Sequence, residues 1–393
     1  MKARSLAKAT TAPEPASATK PMIGLFPELL GVGGVQEAAR LTATALHEIG
    51  LRHGWSTEFL SLNDSSGDHS FGEGERAVPF HGFGRAKMRF VLSGIRRARL
   101  FPRNGAGIIL AAHPNLALPA SWMQRGSPHF KTIVMSHGIE VWKPLPGFRR
   151  RALIRANLVL APSSDTAQKL IDVQGVAPSK VRKLAWPINP NFLLLAREPS
   201  RLPLPEKFPG GPVILTVGRW AASERYKGAD ELIRAVAQLR ASIPGLHLVA
   251  VGGGDDLPRL RRLATDFGAA DCVCFLENLT REELAACYAH AVLFALPSTG
   301  EGFGLVFLEA MAFSKPVVGA SCGGTTDLIQ DGVNGLLVPP RDSEHLAQAL
   351  GHLLRDESLC QALGRRGAEI VQQKYRFEVF QNKLEHILGG EDL

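Results

Sequence analysis

The sequence predicts an α/β protein made of two doubly wound domains, each with a parallel sheet covered by helices on both faces. Two observations lead to this fold class. Short apolar strands alternate with helical segments, and the alternation stops and starts again near the middle of the chain. A length of 393 residues also suits two domains better than one. Because ligands of such domains bind at the carboxyl ends of the strands, we expect the two domains to face each other across a cleft.

The first run of strands and helices occupies residues 21–195 and predicts the N-terminal domain. Its strands are apolar along their whole length, as parallel strands buried on both faces are. A glycine-rich loop and a helical segment follow the first strand, and helical patterns separate the other strands. The predicted strands are 21–26, 107–110, 132–136 and 158–163.

Residues 196–211 contain four prolines and two adjacent glycines, and they predict a linker. The alternation of strands and helices then resumes over residues 212–374, which predict the C-terminal domain. Apolar residues at helical spacing predict a final helix within residues 375–393.

Composition and charge narrow the class of protein. A hydrophobic content of 45% fits a soluble globular chain, and no apolar run reaches the ~18 residues of a membrane span. Residues 1–20 are basic and rich in Ala, Thr, Pro and Ser without an apolar core, so they predict a disordered tail. A net charge of +8 permits an anionic partner. Five cysteines, an odd number without a CxxC pair, favour reduced thiols in the cytoplasm over a zinc site.

Glycine-rich or cationic turns follow several of the predicted strands. The GVGG turn, residues 31–34, leads into the first helix, where backbone amides suit a phosphate. His137 lies in a loop after a strand. Arg219 and Lys227 lie in the segment GRWAASERYKG, and two such cations suit a diphosphate. Taken singly, these patterns also fit a tight turn, a structural loop histidine and a solvated basic loop.

The stretch GEGFGLVFLE, residues 300–309, combines a glycine turn before a helix with two carboxylates, Glu301 and Glu309. The turn predicts an anion cradle, which the carboxylates would oppose. The sequence contains no GxxxxGK[ST] phosphate loop, no GxSxG nucleophile elbow and no Asp-x-Asp metal pair. The pattern therefore indicates anion binding without an obvious metal ion.

These motifs, in this order, resemble the retaining glycosyltransferases of family 4, which have the GT-B fold of two Rossmann-like domains. The resemblance runs from about residue 22 to the C-terminus. It includes GVGGV, SHGIE, VLAPSS, TVGRW…RYKG, VGGG, PSTGEGFGLVFLEAMA and GLLVPPRD. It implies hexosyl transfer from a UDP- or GDP-sugar with retention of configuration, without a cofactor or metal. It also implies that the first domain binds the acceptor, the second binds the donor, and the C-terminal helix packs back on the first.

The resemblance further implies roles for particular residues. Gly33 and Gly34 would approach the diphosphate of the donor, and Arg219 and Lys227 would neutralise it. His137 would contact the transferred sugar near the reacting centre.

Within the GEGFGLVFLE stretch, the resemblance implies that amides and carboxylates bind different parts of the donor. Phe303, Gly304 and Leu305 would offer backbone amides to sugar and phosphate. Glu301 would accept hydrogen bonds from sugar hydroxyls, and Glu309 from the ribose hydroxyls, since a carboxylate is a strong acceptor. The residues expected to act in catalysis are His137, Arg219, Lys227 and Glu301.

Three departures from the family pattern concern the donor. The spacing from Arg219 to Lys227 is slightly longer than in members with a short loop. Thr326 and Asp327 stand in a GGTTD turn where Gly-Gly-x-Pro-Glu is common. Glu277 stands where glycine is frequent, near the expected place of the base.

Residues 84–103 carry seven Lys or Arg and no acidic residue. Apolar residues at helical spacing within this stretch are Met88, Val91, Leu92 and Ile95. The pattern predicts a basic amphipathic helix on anionic lipid headgroups, and the alternative is a solvated helix that packs these four residues into the core. The expected location is cytoplasmic, with peripheral association with the inner face of the plasma membrane. The expected acceptor is a glycan or lipid-linked intermediate of bacterial polysaccharide synthesis.

Other functions fit the sequence less well. A glycoside hydrolase would use Glu301 and Glu309 as its carboxylate pair but would leave the cationic and glycine turns without a purpose. A nicotinamide-dependent oxidoreductase lacks its GxGxxG fingerprint. A non-catalytic nucleotide-sugar binder would use the same residues as the enzyme. Nucleic-acid binding has no motif beyond charge, so no nucleic-acid partner is expected.

Overall fold

The structure is a computed structural model, and it describes residues 20–72, 74, 77–101 and 106–390. The predicted tail, apart from residue 20, lies outside the described residues. Residues 102–103 of the basic stretch and the last three residues of the chain also lie outside them.

The first half of the chain forms an eight-stranded sheet. Its strands are β1 (Pro21–Phe26), β2 (Ser56–Ser61), β3 (Gly67–Phe71), β4 (Val78–Gly82), β5 (Gly107–Ala111), β6 (Phe130–Met135), β7 (Leu158–Ala161) and β8 (Val181–Lys183). They lie in the order β3-β4-β2-β1-β5-β6-β7-β8. All pairs are parallel except β3 with β4. Because the order reverses at β1, a crevice is expected at the carboxyl ends of the strands there.

The second half forms a six-stranded, wholly parallel sheet. Its strands are β9 (Val213–Val217), β10 (His247–Val251), β11 (Val273–Leu276), β12 (Leu293–Leu296), β13 (Val317–Ala320) and β14 (Gly335–Val338). They lie in the order β11-β10-β9-β12-β13-β14, so the order reverses at β9. Each half therefore has the doubly wound arrangement that the sequence predicts.

Helices connect successive parallel strands, as parallel connections require. Those of the first half are α1 (Gly34–His53), α2 (Lys87–Leu100), α3 (Ala117–Gly126), α4 (Gly147–Arg155), α5 (Ser164–Asp172) and α6 (Pro190–Leu195). Those of the second half are α7 (Ala229–Leu239), α8 (Leu257–Asp266), α9 (Arg281–His290), α10 (Leu305–Ala312), α11 (Thr325–Leu328), α12 (Ser343–Arg355), α13 (Glu357–Lys374) and α14 (Phe377–Gly389). Short 3-10 helices occupy Pro114–Leu116, Ile139–Val141, Pro178–Lys180, Pro199–Arg201 and Ala222–Lys227.

The predicted strands of the first half agree with the structure where the chain is buried on both faces. The prediction at 21–26 coincides with β1, and the other three fall on β5, β6 and β7 to within two residues. The edge strands β3 and β8 contain no buried residue. Such strands lack the apolar run that identifies a central parallel strand, and the sequence does not predict them. The sequence also does not predict β2 and β4, which are buried only in part.

A buried apolar cluster continues from one sheet to the other. It contains Phe26 of β1, Phe294 of β12 and Phe380 of α14. The ring of Phe192 in α6 also meets the buried Tyr288 of α9 edge-on, with 6.2 Å between ring centroids. The two halves are therefore joined by apolar packing as well as by polar contacts.

The last helix, α14, returns to the first half of the chain and packs against α1. The amide of Gln381 donates to Glu48 of α1 at 2.7 Å, and Glu385 pairs with Arg52 at 2.8 Å. Lys20, just before β1, donates to the carbonyl oxygen of Leu388 at 2.7 Å. The expectation that the C-terminal helix packs back on the N-terminal domain is thus confirmed.

Candidate active site

The GVGG turn follows β1 and is fixed from two sides. The carboxylate of Asp64 accepts hydrogen bonds from the amides of Leu29 and Leu30, at 2.7 and 3.1 Å. The guanidinium of Arg40 donates to the carbonyl oxygens of Leu29 and Gly31, both at 2.8 Å. These bonds hold the turn in one conformation at the start of α1.

The two glycines predicted to approach a diphosphate end this turn. Gly33 has a backbone φ of 139°, a conformation that residues other than glycine rarely adopt. A methyl group added at Gly34 would meet no atom within 4 Å, so the space beside it is open. The turn thus places open main chain at a helix N-terminus, and its contact with a diphosphate stays a prediction.

His137 follows β6, and its ring is stacked on Trp186 with 5.1 Å between centroids. Nε2 lies 2.8 Å from the carbonyl oxygen of Ala112. Because a carbonyl oxygen only accepts, Nε2 carries a proton in this contact. The ring of His113 is also stacked on His137, with 5.6 Å between centroids, and burial, followed by the charge of His137, lowers the pKa of His113 to about 4.

The main chain at His137 meets the second half of the chain. Gly138 has φ of 134°, and a methyl group added at Gly302 would come within 2.1 Å of the carbonyl oxygen of His137. Only glycine fits at position 302. The GEGFG turn is therefore seated directly on the loop that carries His137.

Arg219 and Lys227 share a counter-ion that the sequence does not reveal. Arg219 is largely exposed and forms an ion pair with Glu224. The ammonium of Lys227 lies 3.7 Å from the same carboxylate. Glu224 belongs to the longer loop noted between the two cations, and it lies within the 3-10 helix Ala222–Lys227. An anion that binds both cations would replace Glu224 as their partner.

Glu301 is a second carboxylate beside Lys227. Its Oε1 is buried and has no hydrogen-bond partner among the described residues. Lys227 lies 3.8 Å from that oxygen, which is beyond hydrogen-bond distance. Burial and then the charge of Glu301 raise the pKa of the neighbouring Tyr226 to about 12. Oε1 of Glu301 thus has unused hydrogen-bonding capacity.

The segment after Glu301 turns into α10. Gly304 is the residue before the helix, with φ of 98°, and no side chain of the described chain caps the helix start. Phe303 is buried and packs edge-on against Tyr375, with 6.1 Å between centroids. Leu305 begins the helix, so the main chain of these three residues lies at its positive end.

Glu309 lies one turn inside α10 and accepts a hydrogen bond from the hydroxyl of Tyr288 at 2.8 Å. Burial raises the pKa of the Glu309 carboxyl to about 7. Glu37 of α1 and Arg281 of α9 are its charged neighbours, and they lie 3.8 Å from each other. Glu37 and Arg281 come from different halves of the chain, so the sequence alone did not bring them together.

Glu277, the third departure from the family pattern, follows β11. Its carboxylate lies 3.5 Å from the guanidinium of Arg261 and beside Gly253 of the turn after β10. In doubly wound domains this edge of the sheet binds the nucleotide. Within the described ranges, no group of three or more His, Cys, Asp or Glu side chains could hold a metal ion.

Family models match both halves of the chain. Residues 32–192 match the model described as Glycosyltransferase Family 4, and residues 204–370 match the model described as Glycosyl transferases group 1. A GDP-mannose-dependent alpha-(1-6)-phosphatidylinositol monomannoside mannosyltransferase of Mycobacterium tuberculosis is 33% identical over 278 residues, 67% of this chain and 70% of that protein. A D-inositol 3-phosphate glycosyltransferase of Acidothermus cellulolyticus is 36% identical over 264 residues, 63% of this chain and 56% of that protein.

Solved structures agree with this assignment at the level of the fold. The sucrose-phosphate synthase of Thermosynechococcus elongatus has a TM-score of 0.73 and 24% identity, covering 94% of this chain and 98% of that one. HepE of Anabaena, in complex with UDP, has a TM-score of 0.71 and 19% identity, covering 93% and 99%. The fold is therefore GT-B.

The chain belongs to glycosyltransferase family 4, and its enzyme class is that of the glycosyltransferases. Family membership sets aside the oxidoreductase and glycoside hydrolase alternatives. Of the predicted site residues, the structure brings His137 against the GEGFG turn and Lys227 beside Glu301. The roles of all of them stay predictions.

Proposed function

We propose that the enzyme transfers a hexosyl unit from a UDP- or GDP-sugar to an acceptor hydroxyl with retention of anomeric configuration. The observation that carries this proposal is the unsatisfied, buried carboxylate oxygen of Glu301 beside Lys227 and the His137 loop. A buried acceptor without a donor is costly, so a ligand hydroxyl bound there would be favoured. Sugar hydroxyls are such donors, and His137 then lies on the far side of the same sugar.

The donor diphosphate would lie between the cations and the glycine turns. Breaking the anomeric bond builds negative charge on the diphosphate. Arg219 and Lys227 would stabilise that charge, together with amides at Gly33, Gly34 and the start of α10. Preorganised groups of this kind contribute roughly 3–4 kcal/mol each to transition-state stabilisation. Glu224 would release the two cations as the diphosphate binds.

The nucleoside would occupy the edge of the second sheet, with its ribose hydroxyls on Glu309. Two similar proteins support a nucleotide-sugar donor, since the mannosyltransferase of Mycobacterium tuberculosis is GDP-mannose-dependent and the structural neighbour HepE is seen with UDP. Retention follows if the acceptor hydroxyl attacks from the face that the diphosphate leaves, with the departing phosphate taking the proton. The product anomer, determined by NMR, tests this step, and an inverted product would contradict it.

The acceptor is proposed to be a glycan or lipid-linked intermediate of bacterial polysaccharide synthesis, reached from the inner face of the plasma membrane. The described residues include no helix that is long and apolar enough to cross a membrane. The support for peripheral association lies in α2. Phe90 and Val91 are buried in the core, whereas Met88 and Leu92 are 69% and 60% exposed. Of the four residues with helical spacing, two therefore face solvent.

The basic surface extends beyond α2. Helices α2, α3 and α4 pack side by side, and all three carry Lys or Arg but no Asp or Glu. Trp122 of α3 and Phe148 of α4 are exposed beside them. Exposed apolar side chains among cations fit an anionic lipid surface.

The proposal is tested with a panel of UDP-, GDP- and ADP-sugars in a thermal-shift assay, followed by transfer assays with the donor that stabilises the protein most. Glu301→Gln removes the charged acceptor and is expected to lower transfer about tenfold to hundredfold, the loss of one or more hydrogen bonds to a charged group. Binding of the free nucleotide should change little. Glu344→Gln, on the exposed start of α12, is the matched control. Wild-type transfer rates in Glu301→Gln would contradict the proposed sugar site.

A further inference from the structure

We infer that Asp327 is a positioning residue for the transfer reaction, because it fastens the sugar-binding turn to the N-terminal half of the chain. The inference rests on the proposed function, since it concerns the site built around Glu301. Asp327 stands in the GGTTD turn, which departs from the common family pattern. The structure places its side chain on α5 and β8, in the other half of the chain.

The carboxylate of Asp327 is almost completely engaged by the first half. It accepts hydrogen bonds from the amide of Ser164 at 3.1 and 3.2 Å and from the hydroxyl of Ser164 at 3.1 Å. The ammonium of Lys183 donates to the same carboxylate at 3.0 Å. The side chain of Asp327 is only 12% exposed. Since Ser164 is the first residue of α5, the carboxylate also lies at the positive end of that helix.

A second contact ties the same helix start to the turn that carries Glu301. The carbonyl oxygen of Gly302 accepts hydrogen bonds from the hydroxyls of Ser163, at 2.7 Å, and Thr166, at 3.3 Å. Ser163 also caps α5 through the amide of Thr166. The first turn of α5 therefore binds the second half at two places, the carboxylate of Asp327 and the carbonyl oxygen of Gly302.

The turn that carries Asp327 and the turn that carries Gly302 are also in direct contact with each other. The amide of Gly324 donates to the carbonyl oxygen of Glu301 at 2.7 Å. A methyl group added at Gly324 would come within 2.4 Å of the carbonyl oxygen of Gly302, so the two turns are in direct main-chain contact. A displacement of the turn at 323–327 must therefore move Glu301 relative to His137.

The strength of the anchor is expected to come mainly from the bonds with Ser164. Lys183 is 54% exposed, and an ion pair of that kind contributes little. The amide and hydroxyl of Ser164 donate to a carboxylate whose side chain is 12% exposed, and hydrogen bonds to a carboxylate are the stronger ones. The carboxylate itself, more than its ion pair, is expected to hold the two halves together.

This anchor bears on the chemical step more than on donor binding. The groups proposed to bind the nucleotide lie mostly in the second half, whereas the acceptor is expected in the first. Loss of the anchor leaves the donor contacts in place but lets the halves separate, which lowers the fraction of complexes with aligned reactants. The expected signature is a lower kcat with little change in the KM of the donor.

The experiment compares Asp327→Ala, Asp327→Asn and Asp327→Glu in the full-length enzyme. Asp327→Ala is expected to lower kcat about tenfold, the scale of one hydrogen bond to a charged group, with the donor KM within about twofold. Asp327→Asn keeps the size of the side chain and is the substitution least able to disturb folding. Its kcat should lie between those of the wild type and Asp327→Ala. Asp327→Glu retains the carboxylate and should restore most of the activity. Asp172→Asn is the matched control, because the wild-type carboxylate of Asp172 accepts a hydrogen bond from Gln168 within α5.

A second measurement needs no substrate. Hydrogen exchange of the peptide that covers residues 163–167 is expected to become faster in Asp327→Ala and to stay unchanged in Asp172→Asn. Unchanged exchange in Asp327→Ala would overturn the inference, and so would faster exchange with wild-type kcat. A wild-type enzyme that transfers no hexosyl unit from any donor would instead refute the proposed function, so the two failures are distinguishable.

Discussion

At the residue scale, the carboxylate of Glu309 has an unusual protonation equilibrium for a ligand-binding group. Its pKa is raised from 4.5 to about 7 because burial disfavours the charged form. Since the folded pKa lies above the unfolded value, the stabilising contribution of the protonated form is complete below about pH 4.5. It is lost as the pH rises through about 7. The same titration changes Glu309 from a hydrogen-bond donor into a pure acceptor.

The affinity for the donor should therefore depend on pH. If Glu309 binds the ribose as proposed, its ionised form would accept hydrogen bonds from both ribose hydroxyls. We therefore expect affinity to rise from pH 6 to pH 8 by up to about tenfold, following the ionised fraction. Isothermal titration calorimetry with the intact nucleotide sugar measures this. The nucleotide sugar is preferable to the free nucleotide because it has no terminal phosphate that titrates near pH 6.

Glu309→Gln isolates the contribution of this carboxyl. The amide does not titrate, so the variant should bind the donor more weakly at pH 8 and lose most of the pH dependence. Glu282→Gln, on the exposed face of α9, is the control and should keep the wild-type profile. A pH profile that is the same in wild type and Glu309→Gln would contradict the assignment of Glu309 to the ribose.

Residues such as Glu301 and Glu309 could be selected from the sequence because they belong to a contiguous motif at a strand end. Glu224 could not, although it lies between the two predicted cations. A carboxylate within a basic loop has no sequence signal that separates a solvated side chain from an internal counter-ion. Only the fold of the loop shows that Glu224 faces both Arg219 and Lys227.

At the scale of elements, α2 shows how far helical spacing can be interpreted. The spacing correctly predicts a helix at Lys87–Leu100, but it does not decide which apolar residues face the core. Val91 is buried against the first sheet, while Met88 and Leu92 lie on the outer side with the cations. The helix therefore packs only part of its apolar residues into the core, and contact of the exposed part with lipid stays a prediction.

The exposed apolar residues of α2 lead to a specific prediction about lipid binding. The wild-type enzyme should sediment with vesicles that contain anionic lipid at moderate salt. Met88→Ser combined with Leu92→Ser should weaken that binding at least about tenfold, because burial of one large apolar side chain contributes roughly 1.5–3 kcal/mol. Transfer to a soluble acceptor should remain close to wild type, since neither residue lies in the proposed site.

Leu51→Ser is the matched control, because Leu51 is 65% exposed near the end of α1 and lies outside the basic surface. It should bind vesicles as the wild type does. Equal binding of the double variant and the wild type would show that α2 is not the contact. Failure of the wild type to bind anionic vesicles would remove the membrane proposal altogether.

At the scale of the whole molecule, the sequence predicts each half of the chain better than their junction. Within a half, the alternation of strands and helices determines which strand ends share an edge, and the predicted turns do lie at such edges. Contacts such as Glu37 with Arg281, or Asp327 with Ser164, join residues more than a hundred positions apart. They depend on how two separately folded sheets are placed, and hydrophobic periodicity contains no information about that placement.

The placement of the two halves is expected to depend on α14, which follows the second sheet in the chain but packs on the first. Leu384 is fully buried in the same cluster as Leu46 and Ile49 of α1. Leu384→Ala should therefore reduce the free energy of unfolding by about 2–5 kcal/mol, the usual cost of such a cavity. Because the loss falls where the halves meet, urea unfolding followed by far-UV circular dichroism should also change from one cooperative transition toward two.

The neighbouring Lys383→Ala is the control, since Lys383 is exposed on the same helix and its loss should change stability by less than about 0.5 kcal/mol. If Leu384→Ala lowers stability but unfolding remains a single transition with the wild-type slope, the two halves are coupled mainly through other contacts. The α5 junction at Asp327 would then be the next place to test, because it joins the halves on the side of the cleft. If Leu384→Ala leaves stability unchanged, the packing of α14 on α1 does not hold the molecule together.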